Sequence, residues 1–243
     1  MSEVDFVETY LREIGVQTPV SLVRSGNKPK RIEQPVTQSM GNASGSESQI
    51  DSKAMHMKEM DLRGMAVEAM QCRRCPSLTE SREHVVFGQG NHDADLLFVG
   101  EAPSRAEDKL GKGFTGHEGN IFSNMLMAIG LDREQVYSLN VLQCLLPNHR
   151  DPKQDELDAC SVWLDGQLDK VKPKVICVLG RVAAQALLKT DGVLHDLRGA
   201  WHHYHGIPVW VSYHPTYLLR SPKAKKKVWD DLLVIQKRLA DYK

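Results

Sequence analysis

The chain has 243 residues, of which 41% are hydrophobic and 26% charged, and its formal net charge is +0, a balance typical of a soluble protein with one main domain and an extension. This charge balance excludes a whole-chain attraction to nucleic acid, so any positive surface that binds nucleic acid must be local. The first residues are acidic where a signal peptide would be basic, and no apolar run approaches the roughly 18 residues of a membrane span, so we expect a cytoplasmic protein.

The N-terminal quarter differs in composition from the rest of the chain. Apolar residues recur at helical spacing from Val4 to Ile14, so residues 1–20 are predicted to hold a short amphipathic helix, which packs on the main domain or docks a protein partner. Residues 21–58 are rich in Ser, Gly, Pro, Asn and Gln, and such a segment cannot bury enough surface to offset its ordering entropy. We therefore expect a disordered N-terminal extension with a flexible linker, followed by a folded domain over residues 59–243.

Strand and helix patterns alternate through that domain. Short apolar or β-branched runs, typical of strands covered on both faces, occupy residues 95–102, 136–142, 174–180 and 207–214. Helical patterns occupy residues 120–129, 154–170, 181–189 and 223–239. The alternation predicts an α/β fold, a three-layer α/β/α sandwich with a central four-stranded parallel sheet.

The loops after the predicted strands are rich in groups that perform chemistry. Ligands of such sheets bind beyond the carboxyl ends of the strands, so these loops are expected to meet at one edge. Glycines after the first strand let the backbone pass close to a flat ligand, and Phe114 among them is a candidate stacking platform. The polar candidates in the loops are Glu101, Glu107, Asp108, Asn140, His149, Arg150, His214 and Arg220.

The segment SYHPTYLLRSPKAKKK, residues 212–227, leaves the last strand. It places Leu218 and Leu219 directly before a lysine run, which indicates a loop that meets a partner both anionic and apolar. The alternative is that one or both leucines form the hydrophobic start of the last helix.

The five cysteines divide into two groups. An odd number in a reducing compartment argues against a disulfide framework. Cys177 lies inside a strand and is expected to be a buried hydrophobe. The other four, a C-x-x-C motif and two cysteines on later segments, indicate a metal centre, either zinc or an iron–sulfur cluster: Cys72, Cys75, Cys144 and Cys160.

The motifs GEAPSRAED, GKGFTG, NVLQC, LRG and YHPTYLLRSP, in this order, resemble the family 4 uracil-DNA glycosylases, the iron–sulfur branch of that superfamily. The resemblance covers about residues 65–239, and the four cysteines agree with the family in order and approximate spacing. It implies a structural 4Fe-4S cluster on Cys72, Cys75, Cys144 and Cys160, with zinc as the less favoured alternative.

The resemblance also implies the reaction. The expected activity is DNA repair by base excision: hydrolysis of the N-glycosidic bond of deoxyuridine in single- or double-stranded DNA, which releases uracil and leaves an abasic site. The base must be flipped out of the stack. Phe114 would stack on it, Asn140 would recognise its Watson–Crick edge, and His214 would hydrogen-bond O2. The implied uracil-binding set is Glu101, Ala102, Phe114, Asn140 and His214, and the implied catalytic set is Glu101, Glu107 and His214.

By the same resemblance the DNA contacts are His149, Arg150, Leu218, Leu219, Arg220 and Lys225, and the protein is expected to be a nucleoid-associated monomer. Four positions depart from the usual family pattern, and they bear on turnover and base range rather than on the fold: Ser104, Gly113, Gln143 and His149. The alternatives are a non-catalytic or weakly active DNA-binding member, or a glycosylase for other bases. A nucleotide-binding factor would need a phosphate-cradling motif whose spacing GKGFTG lacks.

Overall fold

The computed structural model describes residues 59–242. The helix predicted within residues 1–20 and the linker over residues 21–58 lie outside these described residues. Within the described part, no helix is both long enough and apolar enough to cross a membrane.

Helices and strands follow one another along residues 59–242, often in pairs of one kind. The helices are α1 Leu62–Met70, α2 Pro76–Ser81, α3 Arg105–Leu110, α4 Gly116–Ala128, α5 Gln154–Val171, α6 Arg181–Leu188, α7 Leu194–Leu197, α8 Pro215–Arg220 and α9 Lys225–Ala240. The strands are β1 Gln89–Gly90, β2 Leu96–Gly100, β3 Tyr137–Asn140, β4 Val175–Leu179, β5 Trp201–Tyr204 and β6 Ile207–Ser212. Short 3₁₀ turns occupy Arg133–Gln135, Pro147–His149 and Pro222–Ala224.

The strands form one six-stranded sheet in the order β1-β3-β2-β4-β6-β5. The four central strands are parallel, which confirms the predicted α/β fold and its parallel core. The sheet as a whole is mixed, because β1 and β5 add antiparallel edges beside β3 and β6. These edges differ from the predicted pattern because β1 has only two residues and β5 is a half-exposed WHHY segment rather than a buried apolar run.

Alternate side chains of the central strands enter two separate cores. On one face, Phe98 of β2 packs with α4 and α9, among residues such as Phe122 and Trp229. On the other face, Val99 packs with α5 and α6, among residues such as Leu164 and Ala183. Because the strands bury both faces, the three-layer sandwich follows directly from their continuous apolar sequences.

A third, smaller core joins α1 and α2 to α5. Met65 of α1, Leu78 of α2 and Trp163 of α5 are almost completely buried in it. Cys144 and Cys160 belong to the same cluster, and Cys72 and Cys75 pack against it. This core therefore fixes the segment before β1 onto the sheet through the region that holds four of the cysteines.

Candidate functional site

The carboxyl ends of the parallel strands lie side by side at one edge of the sheet. Gly100 at the end of β2 is in register with Asn140 at the end of β3. Gly180, after β4, donates a backbone hydrogen bond to the carbonyl of Ser212 at the end of β6, with N and O 2.9 Å apart. Parallel α/β sheets bind ligands in the crevice beyond this edge. The predicted chemical loops therefore leave neighbouring strand ends.

Asn140 and Phe114 lie against the same glycine. Both residues are buried, with 4% of each exposed. A Cβ atom added to Gly100 would lie 2.3 Å from Oδ1 of Asn140 and 3.1 Å from Cζ of Phe114. The absence of a side chain at Gly100 is therefore what lets the amide and the ring reach one strand end. An apolar ring face beside an amide suits a flat heterocycle that has hydrogen-bonding groups on its edge.

The ring of Phe114 also connects Asn140 to His214. Its centroid lies 6.3 Å from that of the His214 imidazole, with 30° between the planes. On another side it packs on Phe122, with centroids 4.4 Å apart. Phe114, Asn140 and His214, which the sequence predicts to act together, are thus brought together by the fold.

His214 is the N-cap of α8. Its Nδ1 accepts a hydrogen bond from the backbone N–H of Thr216 at 3.3 Å and also contacts the hydroxyl of that residue. Burial lowers the pKa of His214 to about 4, so the imidazole is neutral at neutral pH. Because a backbone N–H can only donate, Nδ1 is the acceptor and the ring proton sits on Nε2. The site therefore contains a neutral imidazole that offers an N–H donor.

Glu101 follows β2 directly and is half-buried. Burial raises the pKa of its carboxyl; Asp151 raises it further, and Arg181 opposes the shift. Arg181 and Asp151 form an exposed ion pair, with Nη2 and Oδ2 2.8 Å apart. Ala102, the next residue, packs against the third core. Glu101 is therefore a carboxyl group at the strand-end edge whose pKa is raised above its ordinary value.

Glu107 has a different environment from Glu101. It is buried, and its carboxylate accepts a hydrogen bond at 2.7 Å from the backbone N–H of Ser104 in the capping box that begins α3. Asp108, also buried, accepts hydrogen bonds from the backbone N–H groups of Glu83 and His84 at 2.9 and 3.2 Å. These contacts hold the first motif in place, and they explain Ser104 as a helix cap.

The two leucines of the C-terminal segment have opposite environments, which corrects the prediction for one of them. Leu218 is 1% exposed and belongs to the core under α4 and α9. Leu219 is 46% exposed. In this fold Leu218 is a core residue of α8, and Leu219 keeps about half of its surface exposed to solvent.

Basic residues follow the exposed Leu219 in the sequence. Arg220 is exposed and lies close enough to Glu118 of α4 to lower the pKa of that carboxyl, although burial raises it overall. Lys225 begins α9 and is partly exposed, and Lys226 pairs with Asp230 one turn further along the helix. The lysine run therefore lies at the start of a helix.

Arg150, which the sequence predicts to contact DNA, forms an ion pair within the protein. Its guanidinium donates to both carboxylate oxygens of Glu156, with Nη1 and Oε2 2.8 Å apart. This pairing lowers the pKa of Glu156 to about 2. Arg150 is thus occupied by a partly buried ion pair at the start of α5, while the backbone of His149 ends the preceding 3₁₀ turn.

All four cysteines predicted to bind a metal centre line one cavity: Cys72, Cys75, Cys144 and Cys160. Cys177 lies apart from them, fully buried in β4, which confirms its predicted role as a core residue. No group of three or more His, Cys, Asp and Glu side chains within residues 59–242 is gathered so as to hold a single metal ion. The thiols thus line the walls of a cavity rather than meet around one ion.

Two hydrogen-bond donors point at these sulfur atoms. Arg82 Nη1 donates to Sγ of Cys144 at 3.0 Å and Trp163 Nε1 to Sγ of Cys72 at 3.4 Å. Burial raises the pKa of Cys160 to about 12 and raises that of Cys144, for which Arg82 acts in the opposite direction. Buried thiolates here therefore require positive charge nearby.

Gln143 also lines this cavity and is 1% exposed. Neither its Nε2 nor its Oε1 has a hydrogen-bond partner within the described part of the protein. Buried amides are almost always hydrogen-bonded, so this pair of unsatisfied atoms indicates a polar group inside the cavity. In the sequence, Gln143 is notable only as a departure from the family pattern. Arg82 and Trp163 were not predicted, because no motif around either residue indicates a contact with a cysteine.

Comparison with known proteins identifies relatives for most of the chain. The profile of the uracil DNA glycosylase superfamily matches residues 87–233. A type-4 uracil-DNA glycosylase of Sulfurisphaera tokodaii is 37% identical over 178 residues, 70% of this chain and 80% of that protein. Type-4 uracil-DNA glycosylases of Saccharolobus solfataricus and Archaeoglobus fulgidus are 35% and 37% identical, over 76% and 68% of this chain and 88% and 86% of their own lengths.

Proposed function

This chain belongs to the uracil DNA glycosylase superfamily, in its type-4 group, and we propose that it removes uracil from DNA by hydrolysing the N-glycosidic bond of deoxyuridine. The observation that carries the proposal is the arrangement of Phe114, Asn140 and a neutral His214 around one strand end. These three side chains supply a stacking surface, a hydrogen-bonding edge and an uncharged N–H donor.

Base selection falls to Asn140. Its side-chain amide donates to O4 of uracil and accepts from N3–H, a pattern that cytosine presents in reverse. Because Asn140 is buried, a base with the wrong edge leaves unpaired groups away from water. The ring of Phe114 stacks on the flipped base.

His214 stabilises the departing base. As water adds to C1′, the bond from C1′ to N1 breaks, its electron pair leaves with uracil as the anion, and a proton is released from the water. Negative charge on the anion is shared by O2, to which the Nε2–H of His214 donates. Because burial lowers the pKa of His214 to about 4, its imidazole is neutral at neutral pH and acts as an uncharged hydrogen-bond donor. We assign Glu101 to ordering the attacking water, since Glu107 caps α3.

DNA contact is proposed for the surface around Leu219, Arg220 and Lys225. Leu219 fills the gap that the flipped nucleotide leaves, and the basic side chains bind phosphates. We propose that Arg150 and His149 also contact DNA, and we expect a smaller contribution from Arg150 because it already pairs with Glu156. We propose a monomer that acts on single- and double-stranded DNA in the cytoplasm, at the nucleoid.

We propose that the cysteine-lined cavity holds a 4Fe-4S cluster on Cys72, Cys75, Cys144 and Cys160, with zinc as the alternative. A cluster suits thiols that surround a volume, and the donors of Arg82, Trp163 and Gln143 suit its sulfur atoms. Such a cluster would supply a structural link between the segment before β1, the loop after β3, and α5.

The proposal is tested with purified full-length protein and an end-labelled single-stranded oligonucleotide that contains one uracil. Excision is measured as alkali-induced cleavage at the abasic site, with a thymine oligonucleotide as the control substrate. Asn140→Asp is expected to lower the excision rate roughly 100-fold or more, because the carboxylate cannot donate to O4. Asn120→Asp, the same change on the exposed side of α4, should leave excision unchanged.

Two results would require a different function, and a third would require a different role for Asn140. A wild-type protein that binds the oligonucleotide without cleaving it would be a non-catalytic DNA-binding member. Excision of hypoxanthine or another deaminated base in preference to uracil would establish an altered specificity. Normal excision of uracil by Asn140→Asp would show that this side chain does not recognise the base.

A further inference from the structure

The backbone of Phe114 has a conformation that an aromatic residue rarely adopts. Its φ is +49°, in the left-handed region, where the Cβ crowds the following carbonyl. Such a conformation persists only where surrounding contacts hold it, and it is frequent at functional sites. The contacts that hold Phe114 therefore decide where its ring lies.

Arg133 supplies those contacts from outside the recognised motifs. It begins the 3₁₀ turn Arg133–Gln135, before β3. Its Nη2 donates to the carbonyl oxygens of Phe114 at 2.7 Å and of Gly119 at 2.6 Å. Its Nε donates to Oγ of Ser123 at 2.9 Å. One guanidinium thus joins the strained residue to two positions on α4.

Arg133 also supports the ring of Phe114 through a neighbour. The guanidinium lies over the ring of Phe122, 4.9 Å from its centroid. Phe122 in turn packs on Phe114, with centroids 4.4 Å apart. The arginine therefore acts on the stacking ring by two routes, the carbonyl group and the aromatic neighbour.

Gly119 completes the support. A Cβ atom at this position would lie 2.1 Å from the carbonyl oxygen of Phe114 and 3.1 Å from Nη2 of Arg133. A side chain at Gly119 would therefore push the carbonyl of Phe114 out of place. The carbonyl group of Phe114 is thus held in one position by α4 and by the guanidinium of Arg133.

We propose that Arg133 is a positioning residue for catalysis: it holds Phe114 in the left-handed conformation so that the ring stacks on the flipped base. The proposal rests on uracil excision as the function, and it assigns Arg133 no contact with the base or the sugar. Its effect on excision must therefore pass through Phe114.

A double-mutant cycle tests this route. Arg133→Met is expected to lower single-turnover excision about 10- to 100-fold, as the loss of hydrogen bonds to a charged group predicts. In a Phe114→Ala background the same change should alter the rate less than about 2-fold, because residues that act as one unit are not additive. Arg133→Lys should recover part of the rate. Arg238→Met, which removes a guanidinium that lies 5.4 Å from the Trp201 ring centroid, is the control and should leave excision unchanged.

A second readout does not depend on excision. With 4-fluorophenylalanine at position 114, ¹⁹F NMR should give one resonance in the parent protein and a shifted or broadened one in Arg133→Met. Gly119→Ala, which keeps an arginine at position 133 but places a methyl group against the carbonyl oxygen of Phe114, should perturb the same resonance and also slow excision. If Arg133→Met does not fold, Gly119→Ala and Arg133→Lys carry the test.

The outcomes separate the two proposals. If the parent protein does not excise uracil, the proposed function is refuted. A shift of the fluorine resonance in Arg133→Met would still support the positioning of Phe114 by Arg133. An unchanged resonance, or effects of Arg133→Met and Phe114→Ala that multiply in full, would overturn the positioning role even if uracil is excised normally.

Discussion

The adjacent leucines 218 and 219 offer a matched pair that separates folding from DNA contact. Leu218 is 1% exposed in the core, so Leu218→Ala should destabilise the protein by about 3 to 5 kcal/mol, as buried leucines do. For a domain of this size that corresponds to a decrease in Tm of roughly 6 to 20 °C. Excision by the remaining folded protein should be unchanged on single strands and on duplexes.

Leu219→Ala should give the reverse pattern. Leu219 is 46% exposed, so the substitution should change the free energy of unfolding of the protein by less than about 0.5 kcal/mol. Complete burial of a leucine is worth about 1.5 to 3 kcal/mol, and about half of the side chain remains to be covered by DNA. Loss of roughly 1 kcal/mol corresponds to about a 5-fold slower excision. The loss should appear on duplexes only, because only there must a wedge offset unstacking.

The assay combines thermal melting with single-turnover excision on single-stranded and duplex uracil DNA at a temperature where every variant is folded. Equal slowing of both substrates by Leu219→Ala would show that this leucine is not a wedge. A duplex-specific defect in Leu218→Ala, with wild-type stability, would contradict the placement of Leu218 in the core.

Four further outcomes are expected. Cys160→Ala should abolish the broad absorbance near about 400 nm typical of iron–sulfur proteins, while Cys177→Ala keeps it; a colourless wild-type protein with stoichiometric zinc would refute the cluster. Joint replacement of the lysines at 225–227 by alanine should weaken DNA binding and lower the salt slope by about one unit for each phosphate that is no longer bound; an unchanged slope would show that these lysines do not bind phosphates. Removal of residues 1–58 should leave a cooperative melting transition and excision, and loss of either would show that this segment is required for the domain. The pKa of His214 is 6.5 in the unfolded chain and about 4 in the folded protein. The free energy of unfolding should therefore decrease as the pH falls from about 6.5 to about 4, because the unfolded chain binds the proton first. His214→Gln should remove this part of the pH dependence, and an unchanged dependence in that variant would mean that the imidazole is not buried in its neutral form.

The sequence predicted the central sheet because its strands are buried on both faces. Such strands are continuous apolar runs, and β2, β4 and β6 all have this form. The edge strand β5 could not be recognised in the same way, since it pairs on one side only and keeps polar, half-exposed side chains. Its existence depends on β6, which lies beside it and pairs with it residue by residue.

The candidate site was predictable in its residue types but not in the direction of each side chain. Leu218 and Leu219 are identical in sequence terms, yet successive residues of a helix point about 100° apart, so one faces the core and the other faces solvent. Glu107 has the same side chain as Glu101, but a serine three residues earlier turns it into a capping residue. Arg133 was not predicted at all, because its partner Phe114 is 19 residues away and the link exists only after folding.

The cysteine cavity and the base-recognition pocket are held in place by different contacts. Asn140 and Cys144 are close in the chain, so loss of a metal centre would be expected to disturb the pocket. However, the intervening backbone is held independently: Val141 and Leu142 donate hydrogen bonds to the carbonyls of Gly100 and Glu101, both with N and O 3.0 Å apart. Asn140 is itself in register with β2. Its position is thus set by the sheet, and the cysteines chiefly fix the segment before β1 to the domain, through the small core that they share with α1, α2 and α5.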